Sequence, residues 1–254
     1  MKAYKYKCGA KTEEFDTIKE FDQTKEVSVI LPTYKEEDGI KRMIDSIKEV
    51  LNGKYQYEII VVDDNSPDKT PEIIDSYVGD EVVALHRYAK KGIFSALQDG
   101  IKVARSNTVV IMDADFSHPP RKIVELLSYM PEADIVSCSR FAPGGGVEMP
   151  WFKKLATYSL NMCLRIVLGF KVTDFTGGFH AMKRDKFLAL PFKYPSQWGE
   201  FDMELFYRAL RRGYTIKEIP FVYKYRDEGH SKSESYVKYA FLYWKRALSL
   251  RFLG

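Results

Sequence analysis

Two nearly unbroken apolar runs, Glu58–Val62 (EIIVV) and Thr108–Met112 (TVVIM), constrain this chain most. Without the alternation of a half-exposed strand, such runs suit strands covered on both faces. The segments around them alternate in the matching way. Val27–Leu31 reads as a strand stopped by Pro32, and Val82–His86 and Asp134–Ser139 read as two more. Between them, residues 38–51 place Ile40, Met43, Ile44, Ile47, Val50 and Leu51 on one helical face. Residues 70–78 read as a helix with Pro71 in its first turn. Gly92–Ala104 and Pro119–Met130 read as two further helices. Strand, helix and strand at short spacing predict an α/β fold: a mostly parallel sheet with helices on both faces.

Beyond residue 140 the alternation weakens. PGGG (143–146) reads as a loop near the site, 151–168 as a long helix, and Glu200–Arg212 as an amphipathic helix ended by Gly213. Ile216–Arg226 reads as one strand and Tyr236–Leu253 as a terminal helix. Residues 1–26 are polar and aperiodic, an extension that packs loosely or pairs at a sheet edge. The expected organisation is therefore an extension (1–26), a main α/β domain (27–233) and a basic helix (234–254). A length of 254 residues suits one large domain. The longest uncharged stretch is ten residues, Leu155–Leu164, against roughly 20 for a membrane span. The first residues lack the apolar region of a secretory signal. Cys8, Cys138 and Cys163 lie far apart, with neither zinc spacing nor a disulfide framework, so a reducing cytoplasmic setting is expected.

Ligands of open parallel sheets bind outside the carboxyl ends of the strands. Those ends here carry Pro32-Thr33-Tyr34-Lys35-Glu36, then Asp63-Asp64-Asn65, Arg87 with Lys90-Lys91-Gly92, Asp113-Ala114-Asp115, and Ser139-Arg140. Asp113 and Asp115 are the sharpest signal. Residues two apart in an extended segment point the same way, and paired carboxylates repel unless a cation or proton lies between them. An oxygen-only pair suits Mg²⁺ or Mn²⁺, with diphosphate and water completing the shell. Capping is the competing reading, outweighed by the apolar run before the pair. Asp63 and Asp64 point to opposite faces: one is placed to meet a base or ribose, the other to cap the following helix, with a plain turn-and-cap role competing. GxxxxGK[ST] and GxGxxG are both absent, which disfavours kinases, ATPases and Rossmann dehydrogenases.

With these strand ends in place, the chain resembles an inverting family 2 glycosyltransferase of the GT-A fold. It is most similar to the dolichol-phosphate mannose synthases and other polyprenyl-phosphate glycosyltransferases. The matching segments are VILPTYKEEDGI (29–40), VVDDNSPDKT (61–70), KKGIFSALQDG (90–100), MDADFSHPP (112–120), SR (139–140) and YRDEGHSK (225–232). The resemblance implies donor contacts at Pro32, Tyr34, Glu36, Val62, Asp64, Lys91, Asp113 and Ala114. It implies a divalent metal on Asp113 and Asp115. It also implies that Asp115 acts in catalysis with Arg140, Arg226 and Lys232, the three cations holding donor diphosphate and acceptor phosphate. The implied reaction moves a sugar, with mannose from GDP-mannose foremost, onto a polyprenyl or dolichyl phosphate. Another nucleotide sugar such as UDP-glucose, a hydroxyl acceptor, and a non-enzymatic nucleotide-sugar-binding subunit are the alternatives. A hydroxyl acceptor needs a base, for which Glu200, Asp202 and Glu204 are candidates; helix-start acids complementing the dipole are the plainer reading of that trio. Two positions depart from the subgroup: His180 stands where Arg is usual, and Ser117 where Gln often serves as a third ligand. His118 reads as a helix-start residue.

Charge is unevenly spread. Residues 205–254 hold eleven Lys and Arg against four acids, net +7, while residues 1–204 come to −3. In the terminal helix Lys238, Lys245 and Ser249 share a face beside Arg246, and aromatic and aliphatic residues cover the rest. That pattern suits a membrane surface or a small membrane-anchoring partner; packing on the domain's own core competes. The expected location is peripheral, on the cytosolic face of a membrane. Nucleic acid is not an expected partner.

Overall fold

The computed structural model describes residues 2–17, 20–89, 92–169, 171–192, 200–224 and 236–253. Its strands and helices follow in chain order. A hairpin comes first, β1 (Tyr4–Cys8) and β2 (Lys11–Phe15), then β3 (Val27–Thr33), α1 (Ile40–Leu51) and β4 (Tyr57–Asp63). Next are α2 (Thr70–Tyr77), β5 (Val82–Arg87), α3 (Ile93–Val103), β6 (Thr108–Ile111), α4 (Lys122–Ser128) and β7 (Ile135–Ser139). The second half adds β8 (Gly146–Glu148), α5 (Trp151–Leu168), β9 (His180–Lys183), α6 (Arg184–Leu188) and α7 (Phe201–Arg211). β10 (Ile216–Pro220), β11 (Val222–Lys224) and α8 (Tyr236–Leu253) close the chain.

Every side chain of β4 is buried, as its unbroken apolar run requires. It lies inside a nine-stranded sheet ordered β10-β7-β9-β6-β3-β4-β5-β1-β2. Only β1 and β9 run against the other seven strands, so the sheet is mostly parallel. Successive residues of β3 and β4 face opposite ways and feed two cores. Val29, Leu31, Ile59 and Val61 pack under α1, α2 and α4. Ile30, Ile60 and Val62 pack under α3, and that core continues into α5, α7 and α8. Gly100 brings α3 close to the sheet: a Cβ there would sit 2.6 Å from Ile30 Cγ2 and 2.9 Å from Val62 Cγ2.

Of the two readings of residues 1–26, pairing at the sheet edge is the one seen, since β1 runs antiparallel to β5. Three expectations need correction. The run read as one strand over 216–226 breaks at Phe221. β10 extends the main sheet beside β7, whereas β11 pairs with β8 in a separate two-stranded sheet. Gly146, read as the end of a loop, opens β8. β9 was not foreseen; its HAMK pattern is short and lacks the apolar run of a buried strand. It matters because it inserts between β6 and β7 and carries His180 into the interior of the sheet.

Candidate active site

The loops leaving β3, β4 and β6 open on one edge of the sheet. Each holds one non-glycine residue in the left-handed region: Lys35 (φ 56°), Asn65 (φ 56°) and Phe116 (φ 62°). Such residues are uncommon and persist where surrounding contacts fix them. Here the Lys35 main-chain N–H donates to Ser66 Oγ at 3.0 Å and that of Glu36 to Thr70 Oγ1 at 2.9 Å. The loop after β3 is thereby tied to the loop and helix after β4.

Asp113 and Asp115 follow β6, and both are partly exposed. Asp115 Oδ1 accepts from the Ser117 N–H (3.1 Å) and the Ser117 hydroxyl (2.6 Å). Ser117 therefore braces Asp115. His118 is not in a helix, since α4 begins at Lys122. Its Nδ1 accepts the main-chain N–H of Asp113 at 2.9 Å, and its Nε2 lies 3.0 Å from the Gly177 carbonyl oxygen. Nδ1 can accept only if unprotonated, so the ring proton sits on Nε2 and is donated to that carbonyl. Burial pushes the His118 pKa from 6.5 down to about 4, with His180 and Arg140 adding to the effect. The neutral ring stacks on Phe179 with centroids 5.0 Å apart.

Two partly exposed carboxylates and no nitrogen or sulfur donor form a set that fits Mg²⁺ or Mn²⁺. Among the described residues no group of three or more His, Cys, Asp or Glu is spaced for a metal.

Arg140, at the end of β7, is clamped by Asp174. Nε donates to Oδ2 and Nη2 to Oδ1, both at 2.7 Å, and Nη2 also reaches the Thr176 carbonyl at 2.9 Å. Burial alone would raise the Asp174 pKa, but Arg140 and main-chain donors outweigh it and hold the carboxyl below its usual range. This fork fixes the guanidinium plane. Nη1 makes no hydrogen bond to a described residue, and Arg140 lines the neighbouring cavity.

That cavity, of about 240 Å³, brings Pro32 and Asp113 together with Arg140, Gly178, Asp202 and Tyr243. Asp202 is only 2% exposed; its Oδ1 lies 2.9 Å from His180 Nε2, while His180 Nδ1 lies 3.0 Å from Ser137 Oγ. Burial raises the Asp202 pKa. The acids of GEFDMEL thus divide. Glu204 forms an ion pair with Arg208 at 2.6 Å, and Asp202 alone of the trio lines the cavity. Asp174, Thr176 and Tyr243 had no place among the sequence candidates; the first two lie just before His180, in the segment DFTGGFH (174–180).

Of the residues expected to hold the donor, Pro32 and Asp113 line this cavity; Tyr34, Glu36, Val62, Asp64 and Ala114 do not. Tyr34 is 37% exposed beside Pro32. Val62 and Ala114 are enclosed, so their side chains offer nothing to a ligand and contact would come from the main chain. Asp64 is buried as well: Oδ2 accepts the Gly92 N–H at 2.8 Å, and Oδ1 lies 3.2 Å from Arg87 Nε. Burial raises its pKa despite Arg87. Asp63 caps the turn and not the helix after it: it accepts the Ser66 N–H at 3.3 Å, and α2 has no side-chain cap. Lys91, Arg226 and Lys232 lie outside the described residues.

Residues 28–190 match the family described as Glycosyl transferase family 2. The chain belongs to glycosyl transferase family 2. Among family members, the polyprenol monophosphomannose synthase of Mycolicibacterium smegmatis is 31% identical over 218 residues, covering 82% of this chain and 81% of the relative. The dolichol-phosphate mannosyltransferase of Pyrococcus furiosus is 33% identical over 227 residues, 85% of this chain. This chain spans 61% of that relative's length. In fold it is similar to glucosyl-3-phosphoglycerate synthase of Mycobacterium tuberculosis, solved with Mn²⁺, UDP and glucosyl-3-phosphoglycerate. The TM-score is 0.68 at 21% identity, over 89% of this chain and 80% of that one. The GT-A architecture expected from the family 2 resemblance is the one found.

Proposed function

We propose that this chain is an inverting, metal-dependent mannosyltransferase that moves mannose from GDP-mannose onto a polyprenyl phosphate. The observation that carries the reading is the fixed guanidinium of Arg140 lining the same small cavity as Asp113. A cation and a carboxylate on the wall of one cavity, with Asp115 two residues further along the same loop, suit several phosphates and a divalent ion meeting in one site. The names of the relatives support mannose as the sugar and a polyprenyl phosphate as the acceptor; GDP-mannose as the donor is our reading.

In this reading Pro32, Tyr34 and Glu36 hold the nucleotide from one side, with Asp64, Lys91 and the main chain of Val62 and Ala114 on the other. Asp113 and Asp115 would hold Mg²⁺ or Mn²⁺, which when bound would neutralise charge on the donor diphosphate. An oxygen of the acceptor phosphate attacks the anomeric carbon from the face opposite the leaving group. The bond from that carbon to the diphosphate oxygen breaks, the bond to the acceptor forms, and GDP leaves with inversion. The acceptor is already an anion, so no general base is needed. Arg140, with Arg226 and Lys232, offsets charge and aligns the two phosphates. The enzyme works peripherally at the cytosolic face of a membrane, because its acceptor is a lipid.

One observation favours a second reading, a hydroxyl acceptor. Asp202 is a cavity-wall carboxyl whose pKa is raised by burial, as a general base requires. The deciding test crosses GDP-mannose and UDP-glucose as donors with a polyprenyl phosphate and the corresponding free polyprenol as acceptors. Product only with the phosphate, and best with GDP-mannose, is expected. Product with the free polyprenol contradicts the reading, and preference for UDP-glucose contradicts the donor.

A further inference from the structure

The hairpin of β1 and β2 lies outside residues 28–190, the segment matched to the family. β1 pairs with β5 along its length, with Tyr4 opposite Arg87 and Lys7 opposite Ala84. Side chains of a strand alternate between faces, so Tyr4 and Lys7 reach opposite sides of the sheet. Tyr4 packs in the core that α3 covers, and Lys7 meets Asp75 of α2. From each, a chain of polar contacts runs to the end of β4.

The first chain starts at the Tyr4 hydroxyl, which donates to Asp99 Oδ2 at 3.1 Å. Arg87 Nε lies 3.5 Å from that oxygen and 3.2 Å from Asp64 Oδ1. Asp64 Oδ2 in turn accepts the Gly92 N–H at 2.8 Å. All four side chains are buried, and the guanidinium offsets two carboxylates that would otherwise repel each other. The second chain starts at the Lys7 ammonium, paired with Asp75 Oδ2. Asp75 Oδ1 lies 3.0 Å from His86 Nε2, and His86 Nδ1 lies 3.4 Å from Asp63 Oδ2. Burial alone would lower the His86 pKa, but Asp63 and Asp75 outweigh it and raise it. Asp63 accepts the Ser66 N–H, and Ser66 Oγ accepts the Lys35 N–H.

Both chains thus end on the loops that leave β3 and β4. Lys35 and Asn65 hold left-handed conformations in those loops, which persist only where surrounding contacts fix them. We propose that the hairpin is a positioning element of the donor site: Tyr4 and Lys7 of β1 fix Asp64 and Asp63, and with them the loops after β3 and β4. Neither residue lines the cavity; both act through Arg87 and His86. A hairpin that merely covered the sheet edge would stabilise the whole sheet without favouring these loops. The consequence for the donor rests on the proposed nucleotide contacts at Tyr34, Glu36 and Asp64; the fixing of the loops does not.

Tyr4→Phe removes one hydroxyl and Lys7→Met one charge, and both keep most of the apolar bulk. The test compares wild type with the full chain carrying both changes, by hydrogen exchange and by GDP titration calorimetry. Exchange should speed up at residues 64–66 and 92–95 and stay as in wild type at residues 180–183 of β9. GDP affinity should fall about tenfold, while KM for polyprenyl phosphate holds. Lys7→Arg, which keeps a cation beside Asp75, should lose less than Lys7→Met. The single variants are independent arms should the double variant unfold. Folded variants that bind GDP as wild type does, or exchange that rises equally on β9, overturn the positioning role. Exchange that rises only at the two loops, in a chain whose wild type binds neither GDP nor UDP, leaves the fixing of the loops standing and overturns the proposed reaction instead.

Discussion

His180 Nε2 and Asp202 Oδ1 lie 2.9 Å apart, joining β9 to α7 at the cavity, with both side chains almost wholly enclosed. The pair occupies the place where the family resemblance predicts an arginine. It commits one oxygen of the only cavity-lining acid of α7 to a structural bond.

The phosphate-acceptor account gives this carboxylate no proton to remove. Asp202→Asn is expected to lower kcat by less than about tenfold, because an amide oxygen still accepts from His180. A hydroxyl acceptor would make Asp202 a general base, worth roughly 10² to 10⁴ in rate. Steady-state kinetics on the same acceptor separate the two.

Arg140 is held as a fork by Asp174. Arg140→Lys keeps the charge but loses the planar two-point grip, so the ammonium is no longer fixed toward the cavity. A loss on the order of 10² in kcat/KM is expected, larger than any change in Tm explains. Asp174→Asn strands a buried guanidinium and should cost about 3–5 kcal/mol of stability, read by denaturant unfolding. Near-normal turnover in Arg140→Lys would remove Arg140 from the machinery.

His118 makes stability depend on pH. Its folded pKa, about 4, lies below the ordinary 6.5. The folded protein excludes a proton that the unfolded chain takes up, so this contribution is complete above pH 6.5 and is lost as pH falls toward 4. Over that window it amounts to something on the order of 3 kcal/mol. His118→Asn should flatten the fall in Tm between pH 6.5 and 4; an unchanged slope would show that His118 already carries charge in the folded state.

The parallel half of the fold was legible because β3 to β7 announce themselves by apolar runs, and the site by the acids and bases at their ends. The rest depends on contacts that sequence does not encode locally. His118 acts through a main-chain N–H five residues back and a carbonyl 59 residues on. β9 is four residues of mixed character, held by its neighbours rather than by its own pattern. Periodicity located the helix 151–168, but an apolar stripe reads the same whether it faces in or out. The terminal helix was weighed between core packing and a membrane surface; Tyr243 and Phe241 show one face in the core and another at the surface. Val62 and Asp64 were placed by resemblance at a ligand, and both side chains are enclosed.

The most direct measurement follows label from GDP-[¹⁴C]mannose into the organic phase in the presence of polyprenyl phosphate and Mg²⁺ or Mn²⁺. The account expects transfer by wild type, its loss on chelation and return on adding the divalent ion, and background counts for Asp115→Ala. Absence of label from the organic phase with wild type, or full activity in Asp115→Ala, would contradict it.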